Sequence, residues 1–234
     1  MAGKPKSVSI SFLFCVLVLV LTGCNQLNLG PAAATDEQIG QTPIEMEKER
    51  LLAQLDRKFE NPKTHYQLGQ LYKTDGLWTQ AEYHFKTALS FEPAYRDAQA
   101  GRVNVLKASG DERLASLLAD EYISQSSVSA EQSLRLGLAF QKELLDDFSL
   151  ACYKQALRLA PNSAKINRQV GYYYLSKNNT VQATEYLIRS FQLNPHQPEV
   201  AGELGRLGIE VRIPRKTTTN TKKLDKMVDK STAR

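Results

Sequence analysis

The sequence predicts an all-α protein assembled from repeated helical units, and three observations predict it. Apolar and small residues recur at a spacing of 34, a proline closes each set, and a helix-start signature stands at Thr42-Pro43-Ile44-Glu45. The recurrence runs residue by residue. Leu68, Gly69, Tyr72, Ala81, Phe85, Ala88 and Pro93 return as Leu136, Gly137, Phe140, Ser149, Tyr153, Ala156 and Pro161. They return again as Val170, Gly171, Tyr174, Ala183, Leu187, Ser190 and Pro195. Large apolar residues stand where two helices must fill the space between them, and Gly69, Ala81 and Ala88 where backbones approach closely. Proline follows the second helix because it cannot continue the hydrogen-bond ladder.

This pattern resembles the tetratricopeptide-repeat (TPR) family over residues 62–197, as four units: 62–95, 96–129, 130–163 and 164–197. The resemblance implies a right-handed solenoid of antiparallel helix pairs. Its concave face, built from the first helix of each unit, would cradle an extended peptide or a partner helix. The second unit departs from the pattern, with Arg102-Val103 in place of Leu-Gly and Ser127 in place of proline. Phase keeps it in the array, because Gly110 follows Gly76 by one period and Ala115 follows Ala81. Ser126-Ser127-Val128-Ser129 suggests a looser exit there.

The chain has 234 residues, 42% hydrophobic and 24% charged, which excludes wholesale disorder. Its amino end is set apart. Lys4 and Lys6 precede an uncharged, apolar run from Val8 to Leu21, and Thr22-Gly23-Cys24 follow it: the charged, apolar and small-residue order of an export signal, 1–23. The run is short for a membrane span, which needs roughly 20 apolar residues. Leu21-Thr22-Gly23-Cys24 resembles the bacterial lipobox, which implies that Cys24 is acylated and becomes the first mature residue. Each buried acyl methylene contributes roughly 0.8 kcal/mol, so several chains hold a protein on a bilayer without a spanning helix. Asn25 after the cysteine resembles the outer-membrane sorting pattern.

Residues 24–43 are polar and small and read as a flexible tether. Thr42, Pro43 and Glu45 then offer an N-cap, a first-turn proline and a capping-box carboxylate for a capping helix over 44–61, running to about Glu60. After the fourth unit, Leu204-Gly205 continues the phase on a second capping helix, 198–211. A solenoid needs such a helix to cover its apolar end. Residues 212–234 form a basic tail of disordered composition with eight Lys or Arg against Asp225 and Asp229. The full-chain charge of +5 is therefore carried by tail and signal, and the mature body is net negative. That balance does not describe a nucleic-acid surface.

No catalytic constellation stands out, and neither a cofactor nor a metal site is expected. Cys152 is the one cysteine left after Cys15 and Cys24, so it has no disulfide partner and reads as buried and inert. His65, His84 and His196 lack a second ligand at metal spacing. Asp146-Asp147 falls at the turn between helices, where carboxylates cap and solvate. In Tyr172-Tyr173-Tyr174 the helix points successive rings in different directions, with Tyr174 in the core by phase and Tyr172 free for the groove.

Phase assigns the concave face to Tyr66, Gln70, Lys73, Asn104, Lys107, Leu134, Leu138, Lys142, Arg168, Tyr172 and Arg206. Its cationic bias points to an envelope protein or peptide with an acidic segment. Lipidated proteins with such repeats resemble pilus and secretion assembly factors, the TadD-like Tad/Flp pilus lipoproteins and the type IV pilus pilotins. The expectation is a scaffold without enzymatic activity, lipid-anchored at the periplasmic face of the outer membrane. The alternative is an accessory regulator that docks a peptidoglycan hydrolase or periplasmic protease.

Overall fold

Ten helices follow one another in a computed structural model that describes residues 42–214. The expected signal peptide, Cys24, the expected tether before Thr42 and the expected tail from Arg215 lie outside the described residues. All the described helices lie in one unit, within Gln41–Arg234. They are α1 (Pro43–Arg57), α2 (Pro62–Thr74), α3 (Trp78–Phe91), α4 (Arg96–Ala108), α5 (Glu112–Ser126), α6 (Ala130–Lys142), α7 (Asp146–Leu159), α8 (Ala164–Ser176), α9 (Thr180–Leu193) and α10 (Pro198–Arg206). Helices α2, α4, α6, α8 and α10 each begin 34 residues after the one before, and so do α3, α5, α7 and α9. Each pairs with its sequence neighbour, and α4 also packs on α2 and α6. No described helix is long and apolar enough to cross a membrane.

Starts and stops follow local chemistry. Thr42 Oγ1 accepts from the Glu45 amide at 3.2 Å while the Thr42 amide donates to Glu45 Oε2 at 2.7 Å. Asn61, Asp111, Ser129, Ser163 and Asn179 likewise accept from first-turn amides. Helix α1 stops at Arg57, short of Glu60, because Lys58 is extended and the chain must straighten before Asn61 caps α2. Helix α10 stops at Arg206, short of Val211. Gly208 takes a positive φ of 80°, and the Ile209 amide donates back to the Leu204 carbonyl at 2.8 Å, closing the helix.

The turn inside each pair uses one left-handed residue at the same phase: Gly76, Gly110, Leu144 and Asn178, with φ of 72°, 93°, 59° and 56°. Glycine adopts this conformation without penalty, whereas a leucine there is strained.

Pairs close through large residues laid over glycines. A Cβ on Gly69 would lie 2.7 Å from the Phe85 ring, and one on Gly171 would lie 2.7 Å from the Leu187 side chain. In the second unit the sizes are exchanged. Val103 replaces the glycine and Ala119 the large residue, both fully buried, so total volume is kept. Arg102, in the leucine position, ion-pairs with Glu82 at 3.2 Å.

A polar residue near the start of α2, α4, α6 and α8 reaches back to the preceding linker or to the last residue of the helix before it. His65 Nε2 donates to the Phe59 carbonyl (3.0 Å), Gln99 Nε2 to Pro93 (2.8 Å), Ser133 Oγ to Ser126 (3.0 Å) and Asn167 Nδ2 to Pro161 (3.0 Å). All four side chains are buried, so each bond answers a side-chain donor that burial would otherwise leave unpaired. The exit of the second unit, expected to be looser, is tied further. Gln155 Nε2 donates to the Ile123 carbonyl at 2.9 Å and lies within hydrogen-bond distance of Ser126 and Ser133 hydroxyls.

Among the tyrosines, Tyr173 rather than Tyr174 is the core residue, 4% exposed and edge-on to Tyr153. Tyr174 is half-buried and stacks on Tyr186, because α9 covers that side. Cys152 is fully buried, and burial pushes its thiol up to about 12.

Replacing Leu144 with glycine is expected to raise stability by about 1 kcal/mol, since its side chain is 80% exposed and only backbone strain is removed. Urea unfolding should show a higher midpoint at unchanged slope.

His65 and His84 face each other, Nδ1 to Nδ1, at 3.1 Å. With His65 Nε2 donating to the Phe59 carbonyl, a neutral His65 presents Nδ1 as acceptor for the Nδ1–H of a neutral His84. Burial, and then the neighbouring His65, holds His84 down at about 4; burial also lowers His65. Between about pH 6.5 and 4 the unfolded chain therefore binds more protons than the folded one. Stability is complete above pH 6.5 and falls by about 3 kcal/mol from His84 as pH drops through this window. Thermal melts from pH 7 to 4 should show the loss, and His84→Phe should flatten it.

Candidate partner-binding groove

Glu143, which follows α6, is the centre of the first half of the concave face. Its side chain is 5% exposed and accepts from Lys73 Nζ at 2.5 Å and from Gln70 Nε2 at 3.0 Å. Its backbone carbonyl accepts from Asn104 Nδ2 at 3.0 Å. Gln70 Nε2 also donates to the Tyr66 hydroxyl, which Lys142 Nζ approaches to 3.1 Å. That hydrogen bond, first among the causes, raises the Lys142 ammonium above its ordinary range. Side chains of α2 thus meet α6 over α4, and five predicted groove residues, Tyr66, Gln70, Lys73, Asn104 and Lys142, come together. The partner that unites them was absent from the sequence prediction.

The other predicted residues do not join this cluster. Leu134 is 1% exposed and packs with Tyr153, Ile166 and Val170 in the core, so it has no surface to offer. Lys107 is exposed over a cleft lined also by Glu112, Asp146 and Asp147, and Asp146 holds Lys177 at 2.7 Å. Leu138 is 38% exposed on α6. Arg168, Tyr172 and Arg206 form a second region. Arg168 Nη1 donates to Gln197 Oε1 at 3.4 Å, and Tyr172 leans on the cluster of Leu187, Phe191, Val200 and Leu204. Arg206 pairs with Glu203 at 2.9 Å. Burial raises the Tyr172 hydroxyl, so it serves as a neutral donor and acceptor.

The electrostatics differ from a bare basic groove. Lys73 is cancelled by Glu143, Arg206 by Glu203, and Lys142 has Asp97 at 3.7 Å. Among the described residues no group of three or more His, Cys, Asp or Glu could hold a metal ion.

Helix pairs repeating every 34 residues and stacked on their neighbours define a TPR fold. The chain is 26% identical over 153 residues to the type IV pilus assembly protein PilF of Pseudomonas aeruginosa, covering 61% of this chain and 58% of that protein. It is 23% identical over 145 residues to the human protein O-mannosyl-transferase TMTC1, covering 59% of this chain and 16% of that one. A solved structure from the functional characterization of Pseudomonas aeruginosa pilF is 25% identical, with 62% of this chain and 67% of that chain covered and a TM-score of 0.37. No family model matches the chain.

Lys73→Met is expected to destabilise by about 3 kcal/mol, because it leaves the Glu143 carboxylate buried without its cation. Adding Glu143→Gln should recover much of the loss, a coupling that a double-mutant cycle of urea unfolding measures directly.

Proposed function

We propose that this chain is a protein-interaction scaffold that holds a partner segment along its concave face during pilus assembly. The observation that carries the reading is the clustering of Tyr66, Gln70, Asn104 and Lys142 on that face. Polar and aromatic groups drawn from three separate helices present a prepared surface, and preorganised side chains lose little entropy on binding. Arg168 and Tyr172 extend it toward α10. The similarity to a type IV pilus assembly protein favours that system over the Tad/Flp one, although the chain spans 58% of that relative. Acylation at Cys24 would keep the scaffold on the periplasmic face of the outer membrane, with residues 24–43 as its tether. The partner carries an acidic segment in this reading, recognised by the cations that are not already cancelled.

The test takes the full chain in a cell with a two-membrane envelope. Mass spectrometry should find an acylated Cys24 at the mature amino terminus, and Cys24→Ala should move the protein from the membrane to the soluble fraction. A photo-crosslinker at Tyr172 should recover pilus components. An unmodified amino terminus ends the anchoring part, and crosslinks confined to a cell-wall hydrolase end the pilus part.

A further inference from the structure

Helix α10 stands at the phase of a first helix, 34 residues after α8, yet among the described residues no second helix follows it. Gly205 holds the place of Gly69, Gly137 and Gly171. A Cβ on any of those three would lie 2.7 Å from a large side chain of the second helix, whereas one on Gly205 would meet nothing within 4 Å. Gly205 is accordingly exposed where the other three are buried. The face of α10 that the four preceding units cover with a second helix is therefore open among the described residues.

The chain also makes the turn that such a helix needs. Inside each of the four pairs, the amide after the left-handed residue donates five residues back: Leu77 to Tyr72, Asp111 to Leu106 and Leu145 to Phe140 at 2.9 Å, and Asn179 to Tyr174 at 3.0 Å. Ile209, after Gly208, does the same to Leu204 at 2.8 Å. The same turn thus closes α10, four residues early, since the phase of Asn178 falls on Arg212. Beyond it, residues 210–214 are not helical. Ile209 and Val211 pack on the cluster of Leu187, Phe191, Val200 and Leu204, and Ile213 is 44% exposed.

We propose that residues 222–230 of this chain occupy the open face of α10 as the missing second helix. Leu224, Met227 and Val228 recur at helical spacing, so a helix there presents one apolar face, and Thr221 precedes it as an N-cap residue. Leu224 takes the place over Gly205 that Phe85, Tyr153 and Leu187 take over their glycines, and Met227 and Val228 continue along α10 toward Ala201. The reach is sufficient. Ten residues lead from Pro214 to Leu224 and span up to about 33 Å, against about 13 Å for the whole of α10. The charges agree in sign. Between Pro198 and Pro214, Glu199, Glu203 and Glu210 stand against Arg206 and Arg212, one net negative charge, while residues 222–230 hold four lysines against Asp225 and Asp229, two net positive. Isolated helices shorter than about 12 residues are marginal in water, so this one forms on α10 and not apart from it.

The experiment follows amide hydrogen exchange by mass spectrometry on the detergent-purified full chain. Amides of residues 222–230 should exchange at least about tenfold more slowly than those of 215–221, at a rate independent of protein concentration. Leu224→Asp combined with Met227→Asp should abolish that difference and speed exchange in α10. Gly205→Leu should abolish it too while the array stays folded, because its side chain enters open space. Should Gly205→Leu fail to fold, the double variant decides, since it alters none of the ten helices. Residues 222–230 exchanging as fast as 215–221, or staying protected in the variants, overturn the proposal and leave the repeats and the scaffold reading in place. Protection that rises with protein concentration assigns the face to a second copy of the chain, which also overturns it.

Discussion

The structure depends on how closely the two helices of a unit can approach. Phe85, Tyr153 and Leu187 each lie over a glycine of the facing helix, where any side chain would meet them at 2.7 Å. That contact sets how closely the two helices of a pair approach, and the second helix of the first pair also packs on the next pair, α3 on α4. The second unit obeys the same volume rule with its partners exchanged, Val103 against Ala119. The constraint is thus on the sum of two sizes and not on glycine itself. Phe85 is gripped twice, because a Cβ on Gly101 would also approach it to 2.8 Å.

From that spacing comes the concave face, and with it a balance between satisfied and unsatisfied charge. A solenoid brings residues about 70 positions apart in sequence to within contact, as Lys73 and Glu143 are. Near the amino end this closeness is spent on internal bonds, which make the face rigid and nearly neutral. Where amides take the place of acids, as Gln99 and Gln132 do beside Arg96, charge is left over.

Much of this was legible in the sequence. The 34-residue spacing marks helix starts at Pro62, Arg96, Ala130, Ala164 and Pro198, and Gly76 and Gly110 mark their turns. The site was legible only in part. Tyr66, Ala100, Leu134 and Arg168 share one phase, yet Ala100 and Leu134 are buried and the outer two half-exposed. Phase gives direction on a helix, whereas the cover over interior units depends on the neighbours. Glu143 was invisible because, of its counterparts Asp75, Ser109 and Lys177, only Asp75 shares its charge, so no repeat signal attaches to the position. The facing of His65 and His84 arises from hairpin closure across 19 residues, outside any helical spacing. The early end of α10 had a visible mark in Gly208, which stands where the other units place an aromatic or a leucine.

The four reach-back bonds share a polarity. In each, the accepting carbonyl comes earlier in the chain than the donating side chain: Phe59 before His65, Pro93 before Gln99, Ser126 before Ser133 and Pro161 before Asn167. A polypeptide that emerges amino end first therefore always exposes the acceptor before the group that will close on it. Each latch needs nothing from the residues still to come, so the linkers can be fastened one after another in the order of emergence, like stitches made in a single direction.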